Sequence, residues 1–420
     1  ISDAVTDLVI EHGGSVSGEH GDGRARTTWN KKLYGNELWE AFTDLKSAFD
    51  PKWLLNPGNV CGDSDPAENL RYDGDYKFDA GFEPALNWDN ENGFQGMTEL
   101  CHGCGGCEGH QDTTGGVMCP TYRATENEEI TSTRGRANML RRSMSGDLPD
   151  DVFDDEFIHE VMDLCIGCKG CKRDCPSGVD MAKLKTEVKH EYHQREGIPL
   201  RDRLFANVES LYSLGSTFAP LSNLVTKLPG SNVLMEKTLG IARERDLPTF
   251  KRATLQKWTQ PRTPAVSEAE AERKVLLIAD PYTNYTQPEV GKAAVHTLEA
   301  AGVHVEISET VTDSGRPAHS KGMVDSARET AELNVAELAP RVADGWDIVS
   351  VEPSDSVMYQ EDYLDLLSGD DVAAVANNTY SIMEYLDTFR LDDALDVDAE
   401  ATLSYHGHCH QTAASREHHA

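Results

Sequence analysis

The sequence lacks long apolar runs and is poor in basic residues. No run of about 18 apolar residues occurs in its 420 positions, which excludes a helix that spans a membrane. Lysine and arginine total 39 against 72 aspartate and glutamate residues, so the formal net charge is −33. Because nucleic-acid binding needs a basic surface, we expect no nucleic-acid partner. A solvated acidic surface explains this charge, and adaptation to high salt is the sharper alternative.

A secretion signal is also missing, and cysteine is scarce outside two short regions. Of the ten cysteines, only Cys61 and Cys409 lie apart from these regions. Regular cysteine spacing in a large chain without a secretion signal indicates metal ligands rather than disulfides. We therefore expect a cytoplasmic protein, with peripheral attachment to the inner face of a membrane as a second option. Since the chain begins at Ile1 rather than methionine, we expect a fragment of a longer protein.

The remaining eight cysteines form two runs, each a C-x2-C-x2-C triplet followed by a Cys-Pro pair. These are Cys101, Cys104, Cys107 and Cys119 in the first run, and Cys165, Cys168, Cys171 and Cys175 in the second run. The second run has the spacing that holds a cubane iron–sulfur cluster. Zinc also takes four thiolates, but zinc sites usually combine two C-x2-C pairs. The pattern therefore favours two [4Fe–4S] clusters, and with them electron transfer.

The fourth ligand of each cluster has to come from outside its triplet. In ferredoxins with two clusters, the remote Cys-Pro of one run binds the cluster of the other run. We therefore predict that Cys175 completes the first cluster and that Cys119 completes the second. Between the runs, Ser132–Arg136 with Arg141 and Arg142 has two interpretations: a capped, solvated helix, or positive charge that favours the reduced clusters.

A glycine-punctuated loop near the start of the chain carries a second group of polar residues. Glu19 and His20 lie side by side between Gly18 and Gly21. A neighbouring glutamate and histidine suit a metal ligand beside a general base. As a bare pattern this is weak, because most such pairs are ordinary surface residues.

The loop at residues 13–24, together with the Asn56-Pro57-Gly58 turn, resembles the C-terminal end of the FAD-linked oxidase family over residues 1–61. That family includes the glycolate oxidase flavoprotein, D-lactate dehydrogenase and D-2-hydroxyglutarate dehydrogenase. The resemblance implies FAD as a cofactor, Glu19 as the ligand of a divalent metal, and His20 as the base that takes the hydroxyl proton of a 2-hydroxy acid. The residues it places near the flavin are Asn56, Gly58, Gly21 and Gly23. It also implies that the FAD-binding domain lies before Ile1, so that the fragment alone is inactive.

The later parts of the chain carry two further resemblances. The cluster region resembles the ferredoxin module of the anaerobic glycerol-3-phosphate dehydrogenase C subunit and of heterodisulfide reductases. Residues 271–420 resemble the cysteine-rich domain of the same subunits, but Ser314 and Asp355 stand where cysteine is frequent. We therefore expect no third metal centre. Four residues near the end of the chain are left as an open candidate for metal binding: His406, His408, Cys409 and His410.

The predicted fold class is α+β multidomain. The predicted segments are an oxidase remnant at 1–61, an acidic linker at 62–94, a helical two-cluster ferredoxin-like domain at 95–195, a helical connector at 196–270 and a truncated α/β cysteine-rich-type domain at 271–420. Apolar spacing predicts helices at 1–12, Asn36–Phe49, Thr133–Ser143, Asp154–Leu164, Val179–His193 and Pro288–Ala301. It predicts strands at Lys274–Ile278, Val303–Ile307, Asp347–Val351, Val372–Ala376 and Thr402–Tyr405.

Taken together, the resemblances imply part of a dehydrogenase that depends on flavin and iron–sulfur clusters. Its substrate would be a D-2-hydroxy acid: lactate, glycolate or 2-hydroxyglutarate. Electrons would pass through the two clusters to a quinone or a carrier protein. The alternative is an iron–sulfur subunit that transfers electrons and has no substrate chemistry of its own.

Overall fold

The computed structural model describes residues 1–110, 116, 118–125, 128–146, 155–228, 230–395, 402 and 404–414. The chain forms two compact units, Ile1–Lys77 and Phe78–Ala420. Among the described residues, no helix is long and apolar enough to cross a membrane. The architecture is a mixture of helices with one small parallel sheet, consistent with the predicted α+β class.

The first unit consists of two helices and their connecting loops. Helix α1 spans Ser2–Glu11 and α2 spans Thr27–Phe49. Helix α2 is broken at Gly35, whose φ of 79° lies in the left-handed region that glycine adopts without strain. The predicted helix at Asn36–Phe49 is the half of α2 that follows this break. The end of its apolar stripe is uncovered in the described chain, since Phe49 is 84% exposed.

The second unit begins with a helical part that contains both cysteine runs. Its helices are α3 (Gly93–Glu99), α4 (Pro120–Ala124), α5 (Thr133–Met144), α6 (Asp155–Phe157), α7 (Gly170–Asp174), α8 (Met181–Glu196), α9 (Leu200–Ala206), α10 (Val208–Thr217), α11 (Leu221–Val225), α12 (Ser231–Leu239) and α13 (Leu255–Thr259). Short 3-10 turns occur at Gly106–Glu108 and Glu129–Thr131, and α6 continues as a π turn at Ile158–Met162. The helices predicted over 133–143 and 179–193 are confirmed as α5 and α8. The start of the one predicted from Asp154 lies outside the described residues.

The core of this helical part is formed by apolar side chains of α5 and α8 and by the cysteines themselves. Leu140 of α5 and Leu184 of α8 are fully buried, and five of the cysteines belong to the same buried cluster of side chains. Helix α5 begins at a capped end, since the Ser132 hydroxyl accepts a hydrogen bond from the Gly135 N–H at 2.9 Å. This cap fixes the start of α5, and the Arg134 N–H in its first turn contacts Cys107 of the first run.

The rest of the second unit is an α/β layer around a parallel sheet. The strands are β1 (Lys274–Ile278), β2 (His304–Ile307), β3 (Trp346–Ser350) and β4 (Thr379–Ser381), in the order β2-β1-β3-β4. The helices around them are α14 (Pro281–Tyr285), α15 (Pro288–Ala300), α16 (Arg316–Ser320), α17 (Val324–Ala343), α18 (Pro353–Val357), α19 (Tyr363–Leu366), α20 (Asp370–Asn377), α21 (Ile382–Thr388) and α22 (Cys409–Ala414). A π turn at Met358–Asp362 joins α18 to α19, and a 3-10 turn spans Leu391–Ala394.

Strands β1, β2 and β3 and helix α15 confirm the corresponding predictions to within two residues, but the strand predicted at Val372–Ala376 is wrong. That segment is helix α20, in which Val372, Val375 and Ala376 are buried at helical spacing. Aspartates at the first two positions of α20 favour its N-terminus. The strand comes just afterwards, as β4. Of the strand predicted at Thr402–Tyr405, Leu403 lies outside the described residues and the described members form no strand.

Candidate functional site

The two cysteine runs lie in one buried core of the second unit. Five of the eight cysteines are buried, Cys168 and Cys175 are half-buried, and Cys104 is exposed. The buried five are Cys101, Cys107, Cys119, Cys165 and Cys171.

Backbone N–H groups point at several of these sulfurs. The Arg134 N–H donates to Cys107 Sγ and the Gly167 N–H donates to Cys165 Sγ, each at 3.4 Å. Gly167 has a φ of 67°, so the loop bends back on itself between the first two cysteines of the second run. Hydrogen bonds to ligand sulfur are a feature through which proteins stabilise reduced iron–sulfur clusters.

Burial raises the pKa of the thiols at Cys107, Cys168 and Cys171, and that of Cys168 rises to about 11. Thiols of this kind become thiolates at neutral pH when a cation binds them, because metal binding displaces the proton. The donor set therefore fits a cationic metal–sulfide group. Among the described residues, no three His, Cys, Asp or Glu side chains are placed to hold a single metal ion.

The segment around Cys119 is tied to the start of the second run. The Thr121 hydroxyl, two residues after Cys119, donates to the Leu164 carbonyl oxygen at 2.9 Å, and Leu164 directly precedes Cys165. Cys119 also contributes, after burial, Cys165 and Cys409, to the raised pKa of Cys168. Cys119 thus lies beside the triplet of the other run, although it is close to Cys107 as well.

The segment around Cys175 is tied to the start of the first run. The Ser177 hydroxyl lies 2.9 Å from Nδ1 of His102, the residue that follows Cys101. The Met118 N–H donates to the Asp174 carboxylate at 3.0 Å, which joins the residues that precede the two Cys-Pro pairs. The first of these contacts places the segment after Cys175 beside the start of the first run, and the second joins the two Cys-Pro segments to each other.

Arg136 is a buried cation beside the cysteine core. It is only 1% exposed, and its Nη1 lies 3.8 Å from Cys119 Sγ. Its Nε donates to the Val161 carbonyl at 3.0 Å, whereas its Nη2 has no hydrogen-bond partner among the described residues. A buried guanidinium with an unpaired nitrogen suits a site that carries negative charge when complete. The sequence singled out the basic segment but did not distinguish Arg136 from Arg142, which is exposed.

The end of the chain packs against the second run, which the sequence did not predict. Helix α22 contacts both α7 and α18, and Cys409 is among the groups that raise the pKa of Cys168. His410 is buried, and its Nε2 lies 2.8 Å from the Gly167 carbonyl oxygen. His408 is oriented differently, toward the hydroxyl of Ser354 at 3.5 Å. Long sequence separation left no local signal for these contacts.

A buried charged network joins the loop of the second run to the α/β layer. Lys169 Nζ and Asp362 Oδ1 are 2.6 Å apart, and both side chains are almost fully buried. Arg316 Nη1 lies 3.8 Å from the other Asp362 oxygen and 3.4 Å from His319 Nδ1. Breaking a buried pair of this kind costs about 3–5 kcal/mol. The network therefore holds the loop of the second cysteine run against the α/β layer.

Acid should destabilise this network through His319. Burial is the first cause that lowers the His319 pKa, to about 4; Arg316 and Lys169 lower it further, and Asp362 and Asp180 oppose them. The pKa of an unfolded histidine is about 6.5, so below that pH the unfolded chain binds a proton that the folded chain excludes. Stability is therefore full above about pH 6.5 and falls toward about pH 4, by about 3 kcal/mol for this group.

Urea unfolding between about pH 7 and pH 4.5 checks this prediction. We expect His319→Gln to remove about 2 kcal/mol of the acid-induced loss of stability. The matched control is His296→Gln, because His296 is exposed. An equal pH dependence in His319→Gln and in the unsubstituted chain would contradict the assignment.

In the first unit, the loop that carries Glu19 and His20 is anchored through Asp22. The Tyr34 hydroxyl donates to one Asp22 oxygen at 2.5 Å, and the Ser17 hydroxyl donates to the other. Glu19 and His20 are both exposed, and within the described chain neither has a hydrogen-bond or ion-pair partner. Their side chains are therefore accessible to a ligand or metal ion that is bound by other residues.

Asn30 brings this loop together with the Asn-Pro-Gly turn. Its Nδ2 donates to the carbonyl oxygens of Asp22 and Val60, each at 2.8 Å, and the residue is 1% exposed. Asn56 in the turn is exposed, with a φ of 46°, and a side chain at Gly58 would collide with Ser64. Gly21 and Gly23 lie in the anchored loop and are also exposed. The only sequence signal for Asn30 is an asparagine on a helix.

Comparison with known proteins agrees with this organisation. Residues 1–60 match the family of FAD linked oxidases, C-terminal domain, and residues 97–179 match the 4Fe-4S dicluster domain. The predicted resemblance to the FAD-linked oxidases and the predicted iron–sulfur module are thereby confirmed. No solved structure matches the chain.

The chain is also similar to several named bacterial proteins. It is 28% identical to a D-2-hydroxyglutarate dehydrogenase of Haemophilus influenzae over 87% of this chain and 39% of that protein. The Escherichia coli D-2-hydroxyglutarate dehydrogenase is also 28% identical, over 86% of this chain and 39% of that protein. The C subunit of the Escherichia coli anaerobic glycerol-3-phosphate dehydrogenase is 26% identical over 46% of this chain and 49% of that protein.

The chain thus spans about two fifths of the length of the D-2-hydroxyglutarate dehydrogenases that it matches, 39% in each case. Within that span, it contains a C-terminal domain of the FAD linked oxidase family followed by a 4Fe-4S dicluster domain.

Proposed function

We propose that the chain is the electron-transfer part of a FAD-linked dehydrogenase that oxidises a D-2-hydroxy acid. The observation that carries the proposal is the collection of two cluster-type cysteine runs in one buried core, in the same chain as an oxidase C-terminal domain. An oxidase that passed electrons straight to oxygen would need no clusters. Bound FAD would supply hydride acceptance, and two one-electron centres suit the onward transfer of its two electrons.

Each cluster is proposed to take its fourth ligand from the other run. Cys101, Cys104 and Cys107 would bind the first cluster with Cys175, which is supported by the contact between Ser177 and His102. The second cluster is proposed to use Cys165, Cys168, Cys171 and Cys119. The hydrogen bond from Thr121 to the residue before Cys165 supports this set.

In the first unit, Glu19 is proposed as a ligand of a divalent metal and His20 as the base. Both are exposed, and no described residue forms a hydrogen bond or ion pair with either, as expected of groups that act on a ligand held elsewhere. Anchoring of the loop through Asp22 would fix the position of His20, so that it can take the hydroxyl proton of the substrate. Asn56, Gly58, Gly21 and Gly23 are proposed to lie near the flavin.

The favoured substrate is 2-hydroxyglutarate, because the relatives matched over most of this chain are named for it. Lactate and glycolate remain in the same chemical class. The five segments predicted from the sequence are kept as the proposed domain division, and a quinone or a carrier protein is the proposed electron acceptor.

The test uses the full-length protein that contains this chain, loaded with FAD and assayed anaerobically for dye reduction. We expect reduction of the dye by D-2-hydroxyglutarate, D-lactate or glycolate. His20→Asn should lower kcat by about 10²–10⁴. The exposed His12 supplies the matched control, and His12→Asn should leave the rate unchanged.

A second candidate function is an electron-transfer subunit without substrate chemistry. The similarity to the C subunit of the glycerol-3-phosphate enzyme, over 46% of this chain, favours it. If none of the three acids reduces the dye although the flavin is intact, this second function replaces the first.

A further inference from the structure

One cavity of the described chain lies beyond the carboxyl ends of the two central strands of the parallel sheet. It has a volume of about 540 Å³ and is lined by residues that follow the carboxyl ends of β1 and β3 and by helices α9, α10 and α16. In the order β2-β1-β3-β4, the connections leave β1 and β3 in opposite directions. Open α/β sheets bind ligands at this kind of switch point, outside the carboxyl ends of the strands.

One wall of the cavity holds two neighbouring buried carboxyl groups, Asp280 and Asp355. They are 1% and 6% exposed. Burial is the first cause that raises the pKa of each. The Asp280 charge raises the pKa of Asp355 further, and Glu352 raises the pKa of Asp280. Burial in one wall therefore favours the protonated form of this pair, most strongly at Asp355.

Asp280 has an ordinary structural role, but Asp355 does not. Asp280 accepts hydrogen bonds from the N–H groups of Tyr282 and Thr283, at 2.9 and 3.0 Å, and so caps α14. Glu352 caps α18 in the same way, through the Ser354 N–H at 3.0 Å. Asp355 lies inside α18 and accepts only the hydroxyl of Ser314 among the contacts described. A proton carried by Asp355 is thus available to a ligand.

Arg316 links this cavity to the second cysteine run. It lines the cavity and also a smaller one that contains Gly167. Its Nη2 lies 3.1 Å from His410 Nε2, and the same nitrogen of His410 is 2.8 Å from the Gly167 carbonyl oxygen. Gly167 lies between Cys165 and Cys168, so these two contacts connect the cavity to the loop proposed to bind the second cluster.

We propose that this cavity binds a quinone and is the site where electrons leave the chain. The inference rests on the proposed electron-transfer function and names its acceptor and the acceptor's site. The quinone gains two electrons, delivered one at a time, and two protons, and so becomes a hydroquinone. One proton comes from the Asp280–Asp355 pair and the other from solvent, and the pair then regains its proton from solvent.

The lining favours a neutral, partly apolar ligand over an ion. Phe205, Val208 and Val290 supply apolar walls, whereas four carboxyl groups against Arg316 and Lys321 disfavour an anion. The capping hydrogen bonds already occupy carboxylate oxygens that a cation would need. Beyond Val208, helix α10 and the residue that follows it leave apolar side chains uncovered, which would accommodate the tail of a lipid quinone: Leu211, Leu214 and Phe218.

The first arm of the test measures binding and needs no turnover. Equilibrium dialysis of menadione against the purified chain should show saturable binding of about one molecule per chain. Val290→Trp, which places a large ring in the cavity, should weaken binding at least about tenfold. Leu333→Trp is the matched control, because Leu333 is 70% exposed on α17 and does not line the cavity.

The second arm separates proton delivery from electron delivery. In protein reduced beforehand with dithionite, Asp355→Asn should slow menadione reduction by about tenfold or more. Oxidation of the same protein by ferricyanide, which takes up no proton, should be unchanged. Because the reductant is dithionite, failure of 2-hydroxy acid oxidation would not affect either arm.

Three results would overturn the proposal. If menadione binding does not saturate, or if Val290→Trp leaves it unchanged, the cavity is not a quinone site. Binding of calcium instead of menadione makes the cavity a cation site. Equal slowing of menadione and ferricyanide by Asp355→Asn assigns Asp355 a structural role only.

Discussion

Replacing Cys119 by serine should remove the cluster of the second run and leave that of the first run in place. The reason is geometric: Thr121 holds the Cys119 segment against the residue that precedes Cys165. Iron and sulfide per chain should fall by about half, because one of two four-iron clusters is lost. The remaining electron paramagnetic resonance signal should equal that of Cys165→Ser.

The control for this substitution is Cys61→Ser. Cys61 is a buried cysteine outside both runs, at 8% exposure, so its loss should leave iron and sulfide unchanged. The assignment fails if Cys119→Ser loses the same signal as Cys101→Ser. Each run would then use its own Cys-Pro pair.

Replacing Arg136 by methionine should make the second cluster harder to reduce. Its guanidinium is buried, with Nη1 3.8 Å from Cys119 Sγ, and such a charge favours the electron-rich state of the neighbouring cluster. A charge-assisted contact contributes about 1.5–3 kcal/mol. For a one-electron couple, about 60 mV corresponds to a tenfold change, so we expect a downward shift of at least that size.

A redox titration followed by electron paramagnetic resonance measures this shift. Arg142→Met is the matched control, since Arg142 is exposed on the same helix α5 and should leave the potential nearly unchanged. Equal shifts in the two variants would mean that the potential responds to net charge rather than to the buried guanidinium.

The sequence predicted best those features that local spacing determines. The continuous apolar run of Lys274–Ile278 indicates a buried strand, and the Ser132 cap indicates the start of the helix Thr133–Met144. Val372–Ala376 shows where local spacing is insufficient, since a short apolar run fits either a strand or a helix. Here the acidic residues of the first turn favour the helix that the structure contains. The cysteine runs and the loop at residues 13–24 could also be recognised from the sequence, because the residues of each motif are close in the chain.

Features that depend on distant contacts could not be predicted. Nothing near Arg136 in the sequence says that it is buried while Arg142 is exposed. The placement of Cys409 beside Cys168 arises from the packing of α22 on α7. Asn30 joins two loops of the first unit through carbonyl oxygens, an interaction that residue type alone does not reveal.

The most direct test of the account is the iron and acid-labile sulfide content of the anaerobically purified chain, measured with its spectrum. Two [4Fe–4S] clusters predict about eight iron and about eight sulfide per chain, with a broad visible absorption that reduction bleaches. A colourless chain with stoichiometric zinc and no sulfide would contradict the electron-transfer role.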